Sequence, residues 1–186
     1  MGAQLFYILK SFCMSKNQMD SFENLSDQEA LVKLKEIAED CRMCMFVTNL
    51  SSVPAASRPM SIQEVDEEGA IWFISSADSD KNKEIATDNR VQLYFQNNGS
   101  SEYLSIYGEA SVFTDKATID KYWTEFANAW FTGKDDPKVT IIKIRPVDCY
   151  YWDTKNGKFI AFMKRSLAAL TGADVDDDGI EGKLKI

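Results

Sequence analysis

Histidine is absent from this chain, and cysteine (four), proline (four) and glycine (nine) are sparse among its 186 residues. Without histidine there is no Ser-His-Asp triad, no imidazole acid or base and no histidine-ligated zinc site. Any catalysis then falls to carboxylates, lysine, tyrosine, cysteine or a borrowed cofactor. Positive charge is also in deficit: 21 Lys and Arg face 29 Asp and Glu, a formal charge of −8. A chain this acidic lacks the basic face that contacts to a phosphate backbone need, which argues against a nucleic-acid partner. No apolar run approaches the ~18 residues of a membrane span. Leu5-Phe6-Tyr7-Ile8-Leu9 is short, has no basic flank before it and is broken by Lys10, so it makes a poor signal peptide. Phe6 stands where a myristoylation signal wants Ser or Thr. The expectation is one domain in a reducing cytoplasm, with no membrane partner. Apolar residues at 45% and charged residues at 27% suit a globular core.

Of Cys13, Cys41, Cys44 and Cys149, only Cys41-Arg42-Met43-Cys44 has a suggestive spacing. It is half a zinc site or a redox dithiol on one reading, and two small apolar side chains at a strand entrance on the other. The pair does not open a helix, where thiolates gain acidity, so the packing reading is the stronger.

Residues 1–24 carry no clean period and read as an extension outside the fold. Ser26 and Glu29 form an S-x-x-E capping box, and Ala30, Leu31, Leu34, Ile37 and Ala38 then repeat at three and four, the buried face of a helix. After Asp40 the texture turns to β. Met43–Leu50, Ser57–Val65, Ala70–Ser75, Val91–Phe95, Tyr103–Phe113 and Val139–Tyr150 read as six strands, with turn signals at Glu67-Glu68-Gly69 and Asn97-Asn98-Gly99-Ser100. Gly108, inside a long strand, marks a bulge or a close backbone approach. Six strands among few helices favour a closed or split barrel over a doubly wound sheet. Two helices interrupt them, one from near Ser79 and one from about Asp115 to Trp130. The second carries Ile119, Tyr122, Trp123, Phe126 and Trp130 on one face, a stripe that reads as core or subunit interface. Trp130-Phe131 at its end is the part that could face a ligand.

Two segments hold residue types suited to binding an anion. Arg58-Pro59-Met60 lies on the second strand, where the missing proline N–H places it at an edge and the arginine can grip phosphate. Trp72-Phe73-Ile74-Ser75-Ser76 ends a strand, and Ser79-Asp80-Lys81 opens a helix. Free amides and the positive dipole end at a helix start favour a phosphate, with Ser79 as cap and Lys81 as point charge. Asp78 and Asp80 work against it, and plain helix capping explains the residue types equally well.

The order Ser57-Arg58-Pro59-Met60, Trp72-Phe73-Ile74-Ser75-Ser76, Ser79-x-Lys81, Arg90-Val91-Gln92-Leu93-Tyr94-Phe95, Ile106-Tyr107-Gly108-Glu109-Ala110, Trp130-Phe131 and Tyr151-Trp152-Asp153 resembles the general stress protein branch of the pyridoxamine 5′-phosphate oxidase-like flavoproteins. The resemblance runs over residues 25–172. It implies a mainly β (α+β) fold, a six-stranded split β-barrel with flanking helices, that forms a homodimer with FMN at the subunit interface. Carried over by position, Arg58, Pro59 and Met60 line the flavin ring and its phosphate approach. Ile74 and Ser75 contact the ring or ribityl chain, Lys81 holds the phosphate, Trp130 and Phe131 cover the ring from the partner subunit, and Ser76 and Ser79 complete the cofactor-binding set. The implied function is a flavin-dependent oxidoreductase of unknown substrate, the alternative being a carrier or sensor that binds flavin without turnover. Tyr103 or Tyr107 would stand in as a proton donor.

Departures from the oxidases proper argue against vitamin B6 oxidation and for weak FMN binding. Asp80 precedes the lysine where a basic residue is usual, Gln63 replaces a lysine, and Tyr103 replaces a glutamine. No tryptophan- and arginine-rich segment follows Trp152. Residues 173–186 read instead as an acidic tail, in which Asp174-Val175-Asp176-Asp177-Asp178-Gly179 imitates the start of a calcium loop. Lys185 stands where the closing glutamate belongs, so a solvated acidic turn is the better reading.

Overall fold

The computed structural model describes residues 22–154 and 179–186. Nine strands form one mixed sheet: β1 (Leu25–Ser26), β2 (Met43–Thr48), β3 (Ala56–Ser61), β4 (Glu64–Val65), β5 (Ile71–Ser76), β6 (Arg90–Asn97), β7 (Glu102–Phe113), β8 (Val139–Thr154) and β9 (Gly179–Lys185). Among the described residues three α-helices accompany them: α1 (Asp27–Cys41), α2 (Asp80–Thr87) and α3 (Lys116–Tyr122), with a 3-10 turn at Glu125–Ala129. The ladder runs β1-β9-β8-β7-β6-β2-β3, and β5 and then β4 branch from β8. β8 supports this branching because it is 16 residues long. One edge of it carries β5 along Val139–Ile144 and β9 along Cys149–Thr154, while β7 covers the other edge. The sheet stays open, and β3 leads directly into β4, with Gln63 N–H donating to Trp72 O (2.8 Å). This is a split barrel.

All six expected strands form, and the second of them divides into β3 and β4. Two were not foreseen. β9 lies within the expected acidic tail, and β1 pairs with it in parallel, Leu25 opposite Leu184. The close approach depends on Gly182, where a Cβ would stand 1.9 Å from Glu23 O. The calcium-loop residues Asp174–Asp178 lie outside the described residues, as does most of the expected N-terminal extension.

Helix α1 buries Ala30, Leu34, Ile37 and Ala38, the face its periodicity marks, against a core that includes Phe46, Phe73, Leu93 and Ile106. Each leucine or isoleucine so buried contributes about 1.5–3 kcal/mol. The capping box does not form. Ser26 makes no side-chain cap hydrogen bond, because its backbone belongs to the β1–β9 ladder and Asp27 turns through a positive φ of 51°. At Gly108 the β7–β8 register slips beside Pro146, and a Cβ there would sit 2.6 Å from Arg145 O. The glycine thus serves both a bulge and a close approach.

The expected helix from Asp115 to Trp130 is divided in two. It ends at Tyr122, and Trp123 and Thr124 are extended before the 3-10 turn. Tyr122 is buried and stacks on Trp72 with ring centroids 4.1 Å apart. Phe126 and Trp130, expected on the same helical face as core or subunit interface, with Trp130 also able to face a ligand, are 69% and 67% exposed and are not core of this chain. The break rotates them off the helical stripe, and they pack edge-to-face on each other instead, 5.1 Å between centroids.

Candidate functional site

Between β3, the end of β5, the start of α2 and the 3-10 turn lies a cleft of about 320 Å³. Its lining gathers Pro59, Met60, Ile74, Ser75, Ser76, Lys81, Trp130 and Phe131, residues spread over more than seventy positions of sequence. The volume falls within the roughly 300–1,000 Å³ of small-ligand sites.

Lys81 is the ionisable member of this lining. It is half-buried and makes no ion pair with the described residues. Burial holds its ammonium below the ordinary lysine range, and the nearby charge of Arg58 acts the same way. Ser79 caps α2, its hydroxyl accepting from Asn82 N–H, so the capping reading holds for that residue. The two carboxylates that would repel an anion are engaged elsewhere: Asp78 with Lys138 (2.7 Å) and Asp80 with Lys83 (3.3 Å).

Behind the cleft a closed ring of buried hydrogen bonds fixes α2 to the sheet. Ser75 Oγ donates to Asn82 Oδ1 (3.0 Å), Asn82 Nδ2 donates to Thr140 Oγ1 (2.8 Å), and Thr140 Oγ1 donates to Ser75 O (3.1 Å). Buried polar groups need such partners, and here each supplies another's. The Ser75 hydroxyl therefore faces the helix, while the residue still forms part of the wall.

Arg58 and Ser79 are the two predicted residues outside the cleft lining. Arg58 Nη2 lies 2.9 Å from Glu84 Oε2, and Arg58 Nη1 donates to Thr48 Oγ1. Thr48 Oγ1 in turn donates to Glu84 Oε2 at 2.5 Å. The sequence does not single out Glu84 or Thr48, which bear no motif, nor Ser61, Thr124 and Ala127 of the wall, and it marks Phe126 only as core or subunit interface. It presents Gln63 only as a missing lysine. Gln63 lines the cleft and accepts a hydrogen bond from Thr124 Oγ1 at 3.2 Å. Trp130 and Phe131, expected to reach over from a partner, line the cleft of their own chain. Tyr103 and Tyr107 do not line it. Tyr103 instead joins a larger groove of about 610 Å³ on the outer sheet face, with Met43, Met45, Tyr94 and Trp152. The two hollows share Pro59.

The Cys41–Cys44 pair also borders the outer groove. Burial pushes the Cys44 thiol up to about 12, which removes the acidic thiolate a redox pair requires. No helix among the described residues is long and apolar enough to cross a membrane.

The chain is a split barrel with a half-buried lysine at a helix start beside a largely apolar cleft, and comparison with known proteins names the family. Residues 29–176 match the model of the pyridoxamine 5′-phosphate oxidase-like proteins, and the chain belongs to that family. Among its relatives, general stress protein 26 of Bacillus subtilis is 30% identical over 81 residues, 42% of this chain and 58% of that protein. Protein bli-3 of Neurospora crassa is 27% identical over 111 residues, 54% of this chain and 53% of that protein. The chain thus spans little more than half the length of these curated relatives. A general stress protein 26 structure from Jannaschia sp. CCS1 superposes with a TM-score of 0.69 at 26% identity, covering 85% of this chain and 98% of the other. The general stress FMN/FAD binding protein of Xanthomonas citri superposes with a TM-score of 0.59 at 27% identity, over 68% of this chain and 90% of that one.

Proposed function

We propose that this protein binds FMN in the cleft between β3, β5 and α2, as a cytoplasmic homodimer, and serves a flavin-dependent redox reaction. The observation that carries the reading is Lys81, a half-buried ammonium without an ion partner among the described residues, at one end of a cleft walled by Met60, Ile74, Trp130 and Phe131. A flavin mononucleotide needs such a pair of environments: apolar and aromatic surface for its ring, and a desolvated cation for its phosphate. The name of the Xanthomonas citri relative supports the same ligand class.

Bound FMN would supply hydride and electron transfer. The residues of the chain would bind and orient it. Lys81 would hold the phosphate, Met60 and Ile74 would exclude water from the ring, and Trp130 and Phe131 would cover it. With Lys81 as its ionisable side chain, the wall is built for binding and orientation more than for proton transfer.

The outer groove supports the dimer. Met43 (53% exposed), Met45 (43%), Tyr94 (52%) and Trp152 (40%) form an apolar face that a soluble protein ordinarily covers. A second copy seated there would meet the cleft at Pro59 and close its open side.

Titration of the purified protein with FMN, followed by flavin absorbance and fluorescence, tests the reading. Saturable binding near one FMN per chain is expected. No spectral change, or binding untouched by Lys81→Ala, would overturn it.

A further inference from the structure

The phosphate seat of this protein carries its own competitor. Near Lys81 stand a second cation, Arg58, and two carboxylates, Asp80 and Glu84, and all three charges act on the Lys81 ammonium. The four cancel, yet a phosphate monoester brings about −1.5 to −2 of charge at neutral pH. Asp80 is drawn off by Lys83 on the exposed side of the helix. Glu84 is not. Its Oε2 receives both Arg58 Nη2 (2.9 Å) and the Thr48 hydroxyl (2.5 Å), while the same hydroxyl accepts from Arg58. Thr48 is fully buried, and the Arg58 and Glu84 side chains are only 24% and 22% exposed. The three form a closed latch, poorly screened by solvent, that occupies the guanidinium.

Arg58 is nonetheless within reach of the cleft: Pro59 and Met60, the next two residues of its strand, line it. Glu84 is one turn along α2 from Lys81, so the latch and the Lys81 ammonium ride on one helix. We propose that Glu84 competes with the ligand's phosphate for Arg58, and thereby sets how strongly the site prefers a phosphorylated flavin over an unphosphorylated one. The inference rests on the flavin reading above. Without a phosphate the guanidinium stays on Glu84 and Thr48. With one, Arg58 exchanges the carboxylate for the phosphate, and the carboxylate left behind holds affinity down. Charged hydrogen bonds are the strong ones, and here two acceptors contend for a single donor group.

Equilibrium titration with FMN and with riboflavin, on the wild type, Glu84→Gln, Thr48→Val, Arg58→Gln and the double variant Glu84→Gln/Arg58→Gln, tests this. Glutamine keeps the shape of Glu84 and removes its charge, so FMN should bind about tenfold more tightly while riboflavin changes less than about twofold. Thr48→Val, which opens the latch without altering charge, should shift FMN affinity the same way by a smaller factor. It stands in should Glu84→Gln not fold by circular dichroism. In the Arg58→Gln background the gain from Glu84→Gln should vanish. Unchanged or weaker FMN binding in Glu84→Gln overturns the inference, and so does a gain that persists without Arg58. A wild type that binds FMN in a Lys81-dependent way while Glu84→Gln is silent sinks this inference alone. A wild type that binds neither flavin sinks the flavin reading and this inference with it.

Discussion

The side-chain amide of Asn82 donates to the hydroxyl of Thr140 across 2.8 Å, tying the first turn of α2 to a strand 58 residues away in sequence. Both are buried, and with Ser75 they complete the ring that holds Lys81 over the cleft. Asn82→Ala should leave the Ser75 and Thr140 hydroxyls short of a partner, at about 1–3 kcal/mol. Urea denaturation should show that loss, and FMN titration should show weaker binding as the helix start loosens. Wild-type stability would mean the ring does not anchor the helix.

Lys81 gives a pH signature. Burial lowers its pKa in the free protein, and a bound phosphate would favour the charged form, raising it again. Affinity for FMN should therefore be full while Lys81 is charged in the free protein. It should fall as pH rises through that lowered value, with a proton taken up on binding. Riboflavin, which lacks the phosphate, should not share this fall, so the ratio of the two dissociation constants isolates it. Lys81→Ala should abolish the alkaline decline and cost about 1.5–3 kcal/mol of FMN binding near neutrality. A ratio flat with pH would assign the phosphate to another residue.

Met45 stands 43% exposed in the outer groove. A charge placed there would be desolvated by a second copy, so Met45→Glu should shift the protein from dimer to monomer in light scattering after size exclusion. FMN affinity should drop with it. A monomeric wild type would remove the proposed interface.

Gly182 lets the backbone of Glu23 approach more closely than a side chain permits, and Glu23 N–H donates to Glu181 O at 2.9 Å. Gly182→Ala should push Phe22–Ser26 off β9, with a loss of about 1–3 kcal/mol. Faster hydrogen exchange at Glu23 and Lys183, whose N–H donates to Asn24 Oδ1, would locate the change.

Burial pushes the Cys44 and Cys149 thiols up to about 12. Iodoacetamide at mildly alkaline pH should leave both unlabelled in the folded protein and modify them in guanidinium, as peptide mapping would read. Rapid labelling of native Cys44 would revive the dithiol reading.

The sequence by itself determined the six main strands, the buried face of α1, the special role of Gly108 and the polar, cationic run from Ser75 to Lys81, of which Ser75, Ser76 and Lys81 line the cleft. Each of these follows from a local rule: alternation, a three-and-four repeat, an interior glycine, or polar and cationic residues where a strand hands over to a helix. Only the tertiary structure decided the rest. Gly179–Lys185 becomes a strand because β8 is long enough to leave Cys149–Thr154 open on the edge that β5 occupies further back, which no local pattern in that acidic segment announces. Phe126 and Trp130 leave the buried stripe because the chain unwinds at Trp123. Glu84 draws Arg58 onto itself because folding brings together charges 26 residues apart, and electrostatic pairing depends on distance in space, which spacing along a chain does not encode.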